Sequence, residues 1–104
     1  MEILINSDNA TQVDQAAKDY FRDEAKNSLQ RFEDYVTRFE IFFSDDSSNK
    51  DTEGDQKCVV EARIKGRNPE VVTNNASEQK AAFDGAISKI RTVLDRVVEK
   101  QRGH

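Results

Sequence analysis

The amino-acid sequence predicts an α+β domain in which a single-layer four-stranded sheet carries two helices on one face, in the order β-α-β-β-β-α. Two observations favour this class. Apolar residues recur at three- and four-residue spacing in two long segments, which is the period of a helix. In four shorter segments they form a compact run or alternate with polar residues, as in strands. A chain of 104 residues has the length of one domain, which we assign to residues 1–104.

The first strand and the first helix follow one another directly. Residues 2–7 are a short apolar run, and turn-forming residues come immediately after it. The period is helical over residues 11–35, and Thr11 followed by Asp14 resembles a capping arrangement. The inward stripe of this helix consists of Val13, Ala17, Tyr20, Phe21, Ala25, Leu29 and Phe32. Beside the stripe runs a basic row, Lys18, Arg22 and Lys26.

Three further strands are predicted at residues 37–44, 58–65 and 70–73. In the first of them Phe39, Ile41 and Phe43 alternate with Arg38, Glu40 and Phe42. In the second, Cys58, Val60, Ala62 and Ile64 point inward. The alternation indicates a sheet with one covered face and one open face. Phe42 then either packs at an edge or belongs to an interaction surface.

Residues 44–57 separate two of these strands and contain no large apolar residue. They carry five acids against two lysines, which predicts a mobile acidic loop. The acids lack the spacing of a calcium-binding loop, so we predict no metal site there.

The last helix is predicted over residues 77–102 and is the longest element. Its apolar stripe consists of Ala82, Phe83, Ala86, Ile87, Ile90, Val93, Leu94, Val97 and Val98. Gly85 interrupts this stripe, where a glycine can let a strand approach closely. One flank of the stripe carries Lys89, Arg96 and Lys100, and the other carries Lys80, Arg91 and Arg102.

The order of the elements predicts how they pack. The first two strands, joined by a helix, should be parallel, and the later ones should pair in antiparallel fashion. With both helices on one face, their basic flanks should lie side by side on the outer layer. Those flanks are either a solvated surface whose aliphatic stems cover the core or a surface that meets phosphates.

The sequence offers no catalytic constellation, and we predict that the protein is not an enzyme and needs no cofactor. The only histidine is His104, and no glycine-rich phosphate loop or Cys/His metal spacing is present. No apolar run is long enough to span a membrane. A lone Cys58 and an N-terminus without signal-peptide character favour a cytoplasmic protein.

Three stretches resemble the ribosome hibernation promoting factor and ribosome-associated inhibitor A family, also called sigma-54 modulation proteins. They are LQRFEDYVTRFEI at 29–41 continuing into FSD at 43–45, VEAR at 60–63, and AFDGAISKI at 82–90. The family's fold has the element order predicted above. The resemblance implies binding to ribosomal RNA of the small subunit, in the groove for messenger and transfer RNA.

Two functions therefore stay open. In the first, a hibernation-type inhibitor of translation contacts RNA phosphates through its helices. The residues expected to do so are Lys18, Arg22, Lys26, Lys89, Arg91, Arg96 and Lys100. In the second, the same fold serves as a protein-interaction or regulatory module that does not bind the ribosome. Its surface would be the acidic loop or the open sheet face, with Arg38, Glu40, Phe42, Val59, Glu61, Arg63 and Lys65. The net charge of −4 favours the second function, whereas the segregated basic flanks favour the first.

Overall fold

A computed structural model describes residues 1–8, 11, 13–45 and 56–102. Within these residues the chain forms four strands, two α-helices and one 3-10 turn. The order is β1 (Glu2–Ser7), α1 (Gln15–Leu29), a 3-10 turn (Gln30–Phe32), β2 (Val36–Asp45), β3 (Gln56–Ile64), β4 (Glu70–Ala76) and α2 (Gln79–Arg102). The predicted β-α-β-β-β-α fold is confirmed. Among the described residues, neither helix is long and apolar enough to cross a membrane.

The strands lie in the order β1-β2-β3-β4. β1 pairs with β2 in parallel, with Ile5 opposite Ile41, and the other two pairings are antiparallel. Both results confirm the predicted strand directions. α1 packs on β1, whereas α2 packs on β3 and β4, so the helices lie next to each other over one face of the sheet.

The core lies between that face and the two helices. Its largest fully buried side chains are Phe39, Phe43, Leu29, Ile41, Ile90 and Leu94. Phe21 of α1 joins the two halves of the core, because its ring centre lies 4.7 Å from that of Phe43 and 4.9 Å from that of Phe83. Such tilted aromatic pairs contribute about 0.5–1.5 kcal/mol beyond the area they bury.

Gly85 is the point of closest approach between α2 and β4. The Asn74 side chain of β4 lies over Gly85 and donates hydrogen bonds from Nδ2 to the carbonyl oxygens of Ala82, at 3.1 Å, and Ala81, at 3.4 Å. A Cβ atom at position 85 would sit 2.6 Å from Asn74 Cγ, which is closer than real Cβ contacts allow. The sequence left open whether Gly85 has a role, and the structure shows that it permits the close approach of β4.

The first helix is shorter than the segment predicted from the helical period, residues 11–35. α1 begins at Gln15, because Asp14 is the N-cap and its Oδ1 accepts a hydrogen bond from the Ala17 N–H at 2.8 Å. Thr11, which the sequence suggested as part of the capping arrangement, is a buried side chain before the helix. The α-helix ends at Leu29 and tightens into the 3-10 turn, so the segment to Tyr35 is not continuous helix.

Strands β2, β3 and β4 extend beyond the predicted limits. Ser44 pairs with Lys57 and Asp45 with Gln56, so the ends of the predicted acidic loop belong to strands. Backbone pairing needs no apolar side chain, which is why the polar ends gave no signal. The rest of that loop, residues 46–55, lies outside the described residues, and its predicted mobility stays a prediction.

The turn between β3 and β4 begins one residue earlier than expected. β3 ends at Ile64, so Lys65 belongs to the turn and not to the strand. The backbone N–H of Lys65 donates to the Tyr35 carbonyl at 2.9 Å, and that of Arg67 donates to the Ile64 carbonyl at 3.3 Å. Gly66 between them has a φ of 71°, a conformation that other residues adopt only with strain. Two backbone hydrogen bonds therefore hold the first half of the turn.

Candidate nucleic-acid interface

One row of basic side chains lies along the outer side of β4. We call Lys89, Arg96 and Lys100 the β4-side cations. Lys89 Nζ donates a hydrogen bond to the Thr73 carbonyl of β4 at 2.8 Å, which fixes the flank of α2 that faces this edge. About two and three turns further along α2, Arg96 and Lys100 line a cavity. Arg67 of the β3–β4 turn and Glu70 at the start of β4 line the same cavity. All three β4-side cations are exposed.

A second row lies at the opposite edge of the sheet. We call Lys18, Arg22 and Lys26 the β1-side cations. Arg22 and Lys26 line a cavity of about 240 Å³ together with Met1 and Ile3 of the β1 end. Arg22 Nη1 is 3.1 Å from Asp19 Oδ1, an exposed pair of small net value. Lys18 is half-buried near the start of α1.

Between the two rows runs a seam where the helices meet, and two ion pairs lie along it. Lys80 Nζ donates to Asp84 Oδ2 at 2.9 Å and lies 5.9 Å from the ring centre of Tyr20 on α1. The hydrogen bond to Asp84 and then the contact with Tyr20 raise the pKa of Lys80. At the other end of the seam, Arg31 forms an ion pair with Asp95, with 3.0 Å between Nη2 and Oδ1.

The prediction that the basic flanks lie side by side is wrong. The sequence fixes each flank relative to the apolar stripe of its own helix, but not which flank faces the other helix. Because α1 lies over β1 and α2 over β3 and β4, the β1-side and β4-side cations point to opposite edges. Arg91 belongs to neither row, since it lies on the seam flank of α2 together with Asp84 and Asp95.

Arg67 is a basic residue beside the β4-side cations that the sequence interpretation did not select. It lies in the β3–β4 turn, outside both helices and outside any periodic pattern. A signal was available in the connectivity. α2 must run antiparallel to β4 after a short link, so its C-terminal half returns to the turn before β4.

The described residues offer little to reaction chemistry. Within them, no cluster of His, Cys, Asp and Glu is arranged to hold a metal ion. Cys58 is fully buried on the inner face of β3, as predicted, and burial raises the pKa of its thiol to about 12. A thiol in that state is a poor nucleophile at neutral pH. His104 lies outside the described residues.

The fold and its charges define a small α+β domain in which the β1-side and β4-side cations lie at the two opposite edges of one sheet. The chain belongs to the Sigma 54 modulation protein / S30EA ribosomal protein family, whose model matches residues 4–102. This is a family of ribosome-associated proteins, and the resemblance inferred from the sequence is confirmed.

Two solved structures share the fold. The Protein Y N-terminal domain of Thermus thermophilus superposes with a TM-score of 0.74 at 18% identity, covering 93% of this chain and 99% of that one. A ribosomal subunit interface protein from Coxiella burnetii gives a TM-score of 0.64 at 19% identity, covering 93% of this chain and 97% of that one. A search of curated proteins finds no significant match.

Proposed function

We propose that this protein is a ribosome-associated, hibernation-type inhibitor of translation that binds ribosomal RNA of the small subunit. It acts by occupying the groove for messenger and transfer RNA, and it carries out no reaction. Family membership is the observation that carries this proposal, and the two rows of cations provide the means. Such a protein works in the cytoplasm.

The positions of the cations suit a groove better than a flat surface. The β1-side and β4-side cations face opposite edges of the sheet, so RNA would be met on both sides of the molecule. Contacts to phosphates supply affinity and orientation without reading bases, and the shape of the site supplies selectivity. The net charge of −4 does not prevent this, because salt limits the reach of an exposed charge to about 10 Å.

The test is co-sedimentation of the protein with purified small subunits over a series of salt concentrations. The informative variant is Arg96→Glu with Lys100→Glu, which reverses two exposed charges that make no ion pair within the described part of the chain. Lys89 is left in place because its amine holds the Thr73 carbonyl. We expect binding at least tenfold weaker at low salt. The slope of log affinity against log salt should flatten by roughly 0.7–0.9 for each lost contact.

The matched control is Lys57→Glu with Lys65→Glu. It changes the net charge by the same amount, but the two charges lie on β3 and in the β3–β4 turn, outside the β4-side cations. It should bind nearly as well as the wild type. If both double variants weaken binding equally, net charge and not the β4-side row governs affinity. If the wild type fails to sediment with small subunits at low salt, the proposal is wrong.

An interaction module remains the second candidate because of the open sheet face. Phe42 is 40% exposed and Val71 is 55% exposed there, among the pairs Arg38–Glu40 at 3.0 Å and Arg63–Glu61 at 3.2 Å. In that case Phe42→Ser would abolish binding of a protein partner. It would not change co-sedimentation with small subunits, whether or not the wild type shows any.

A further inference from the structure

The β3–β4 turn, the start of β4 and the C-terminal half of α2 line a half-open cavity of about 230 Å³. Its charged walls are Arg67, Glu70, Arg96 and Lys100, which come from the turn, the start of β4 and two successive turns of α2. This volume lies below the about 300–1,000 Å³ of small-molecule sites. The cavity therefore has room for one anionic group with its nearest attachments and not for a whole cofactor.

The three cations of this cavity form no ion pair with any described residue, as is true of several other described cations, but here they line one cavity together. Elsewhere in the described chain, Arg22, Arg31, Arg38, Arg63 and Lys80 each lie within 3.2 Å of a carboxylate oxygen. For Arg67, Arg96 and Lys100, no carboxylate among the described residues lies within 4.0 Å, although Glu70 lines the same cavity. Like charges gathered without counter-charges repel one another, and an anion placed among them relieves that repulsion.

The construction of the cavity favours a fixed anion site. Two backbone hydrogen bonds and the positive φ of Gly66 hold the turn that carries Arg67. Val93 and Val97 of α2 form an apolar floor, which keeps water away from one side and strengthens electrostatic attraction there. A guanidinium group can also hold two oxygens of one phosphate at once.

We infer that Arg67, Arg96 and Lys100 bind one backbone phosphate of RNA, with Glu70 limiting the positive charge of the site. With Glu70 included, the four groups sum to +2, which exceeds the single negative charge of a phosphodiester. The inference rests on the proposed function and adds the turn residue Arg67 to the contact surface. It also implies that Glu70 weakens binding of the phosphate. Substitution of Arg67 should therefore lower the affinity for RNA, and substitution of Glu70 should raise it.

The experiment is a titration of the ¹⁵N-labelled full chain, followed by NMR, with a short double-stranded RNA and separately with inorganic phosphate. We expect the backbone amide signals of residues 66–68 and 93–100 to shift with both probes. Arg67→Gln should weaken binding of the RNA roughly tenfold, the loss of one charge-assisted hydrogen bond. Glu70→Gln should strengthen it about threefold, as expected from removing one unit charge about 6 Å away in water.

Lys65→Gln is the matched control, because it removes one charge from the same turn at a side chain that does not line the cavity. It should leave affinity for the RNA nearly unchanged. The inference is overturned if Arg67→Gln and Lys65→Gln weaken binding equally, or if Glu70→Gln does not strengthen it. Urea unfolding of each variant excludes loss of the fold as the cause.

Co-sedimentation with small subunits separates this inference from the proposed function. If Arg67→Gln sediments with small subunits like the wild type, the phosphate site is wrong and the proposed function stands. If the wild type shows RNA-dependent shifts at the cavity but does not sediment with small subunits, the proposed function fails and the phosphate site stands.

Discussion

Replacing Gly85 by alanine should destabilise this protein, although the same change stabilises most helices. In an unobstructed helix, alanine is favoured over glycine by about 1 kcal/mol. Here the new Cβ atom would lie 2.6 Å from Asn74 Cγ and 3.0 Å from Asn74 Oδ1, and closer still to Nδ2. The amide would have to move, because a side chain as short as asparagine cannot bend away while its Nδ2 stays bonded to the Ala82 carbonyl.

The magnitude follows from three terms. Moving the amide loses the hydrogen bonds to Ala81 and Ala82, about 0.5–1.5 kcal/mol each when well formed. Crowding at a packed contact adds about 1–3 kcal/mol. Subtracting the gain of about 1 kcal/mol in helix propensity leaves a net loss of about 1–5 kcal/mol, which urea unfolding followed by circular dichroism can measure.

A second background makes the test decisive. Asn74→Ala removes the three atoms nearest to the new Cβ, so in that background Gly85→Ala should stabilise the protein by about 1 kcal/mol. The sign of the effect should thus reverse between the two backgrounds. Equal effects in both, or a stability gain with Asn74 present, would show that the contact between α2 and β4 does not require glycine.

Two further predictions follow from the core and the seam. Cys58 should react slowly with a thiol reagent in the native protein at pH 8 and rapidly in denaturant. The reason is that burial raises its pKa from 9.0 to about 12. Rapid labelling of the native protein would mean that Cys58 faces outward and that the inward and outward residues of β3 are exchanged. A double-mutant cycle with Arg31→Ala and Asp95→Ala should give a coupling of about 0.2–1 kcal/mol that largely disappears in 1 M salt, because both side chains are about half exposed. A salt-independent coupling above about 2 kcal/mol would mean that the pair is shielded from water.

The sequence predicted those features that depend on neighbouring residues. The inward faces of β2 and β3 were read from alternation, and the inward face of α2 from three- and four-residue spacing, because side-chain direction is a local property of the backbone. For Gly85 the sequence offered close approach of a strand only as one option, and the position of Asn74 in the structure decides for it. The strand ends at Ser44–Asp45 and Gln56–Lys57 could not be predicted from the sequence, because their pairing depends on backbone groups alone.

The candidate site was predicted less well than the fold. Residue type and spacing identified the β1-side and β4-side cations, but their separation depends on which strand each helix covers. That is a property of the whole fold, as is the presence of Arg67 in the same cavity as Lys100. A turn residue has no periodicity, so only the returning path of α2 could have pointed to it.

The hydrogen bond from Lys89 to the Thr73 carbonyl also bears on self-association. β4 is an edge strand, and the free carbonyl groups of an edge invite another chain to add a strand. The Lys89 amine occupies one of these acceptors and places a charge beside it, so an incoming strand would have to displace and desolvate an ammonium group. Changes at this edge that raise affinity for RNA must therefore keep an amine within reach of that carbonyl, or the same surface becomes a template for edge-to-edge aggregation.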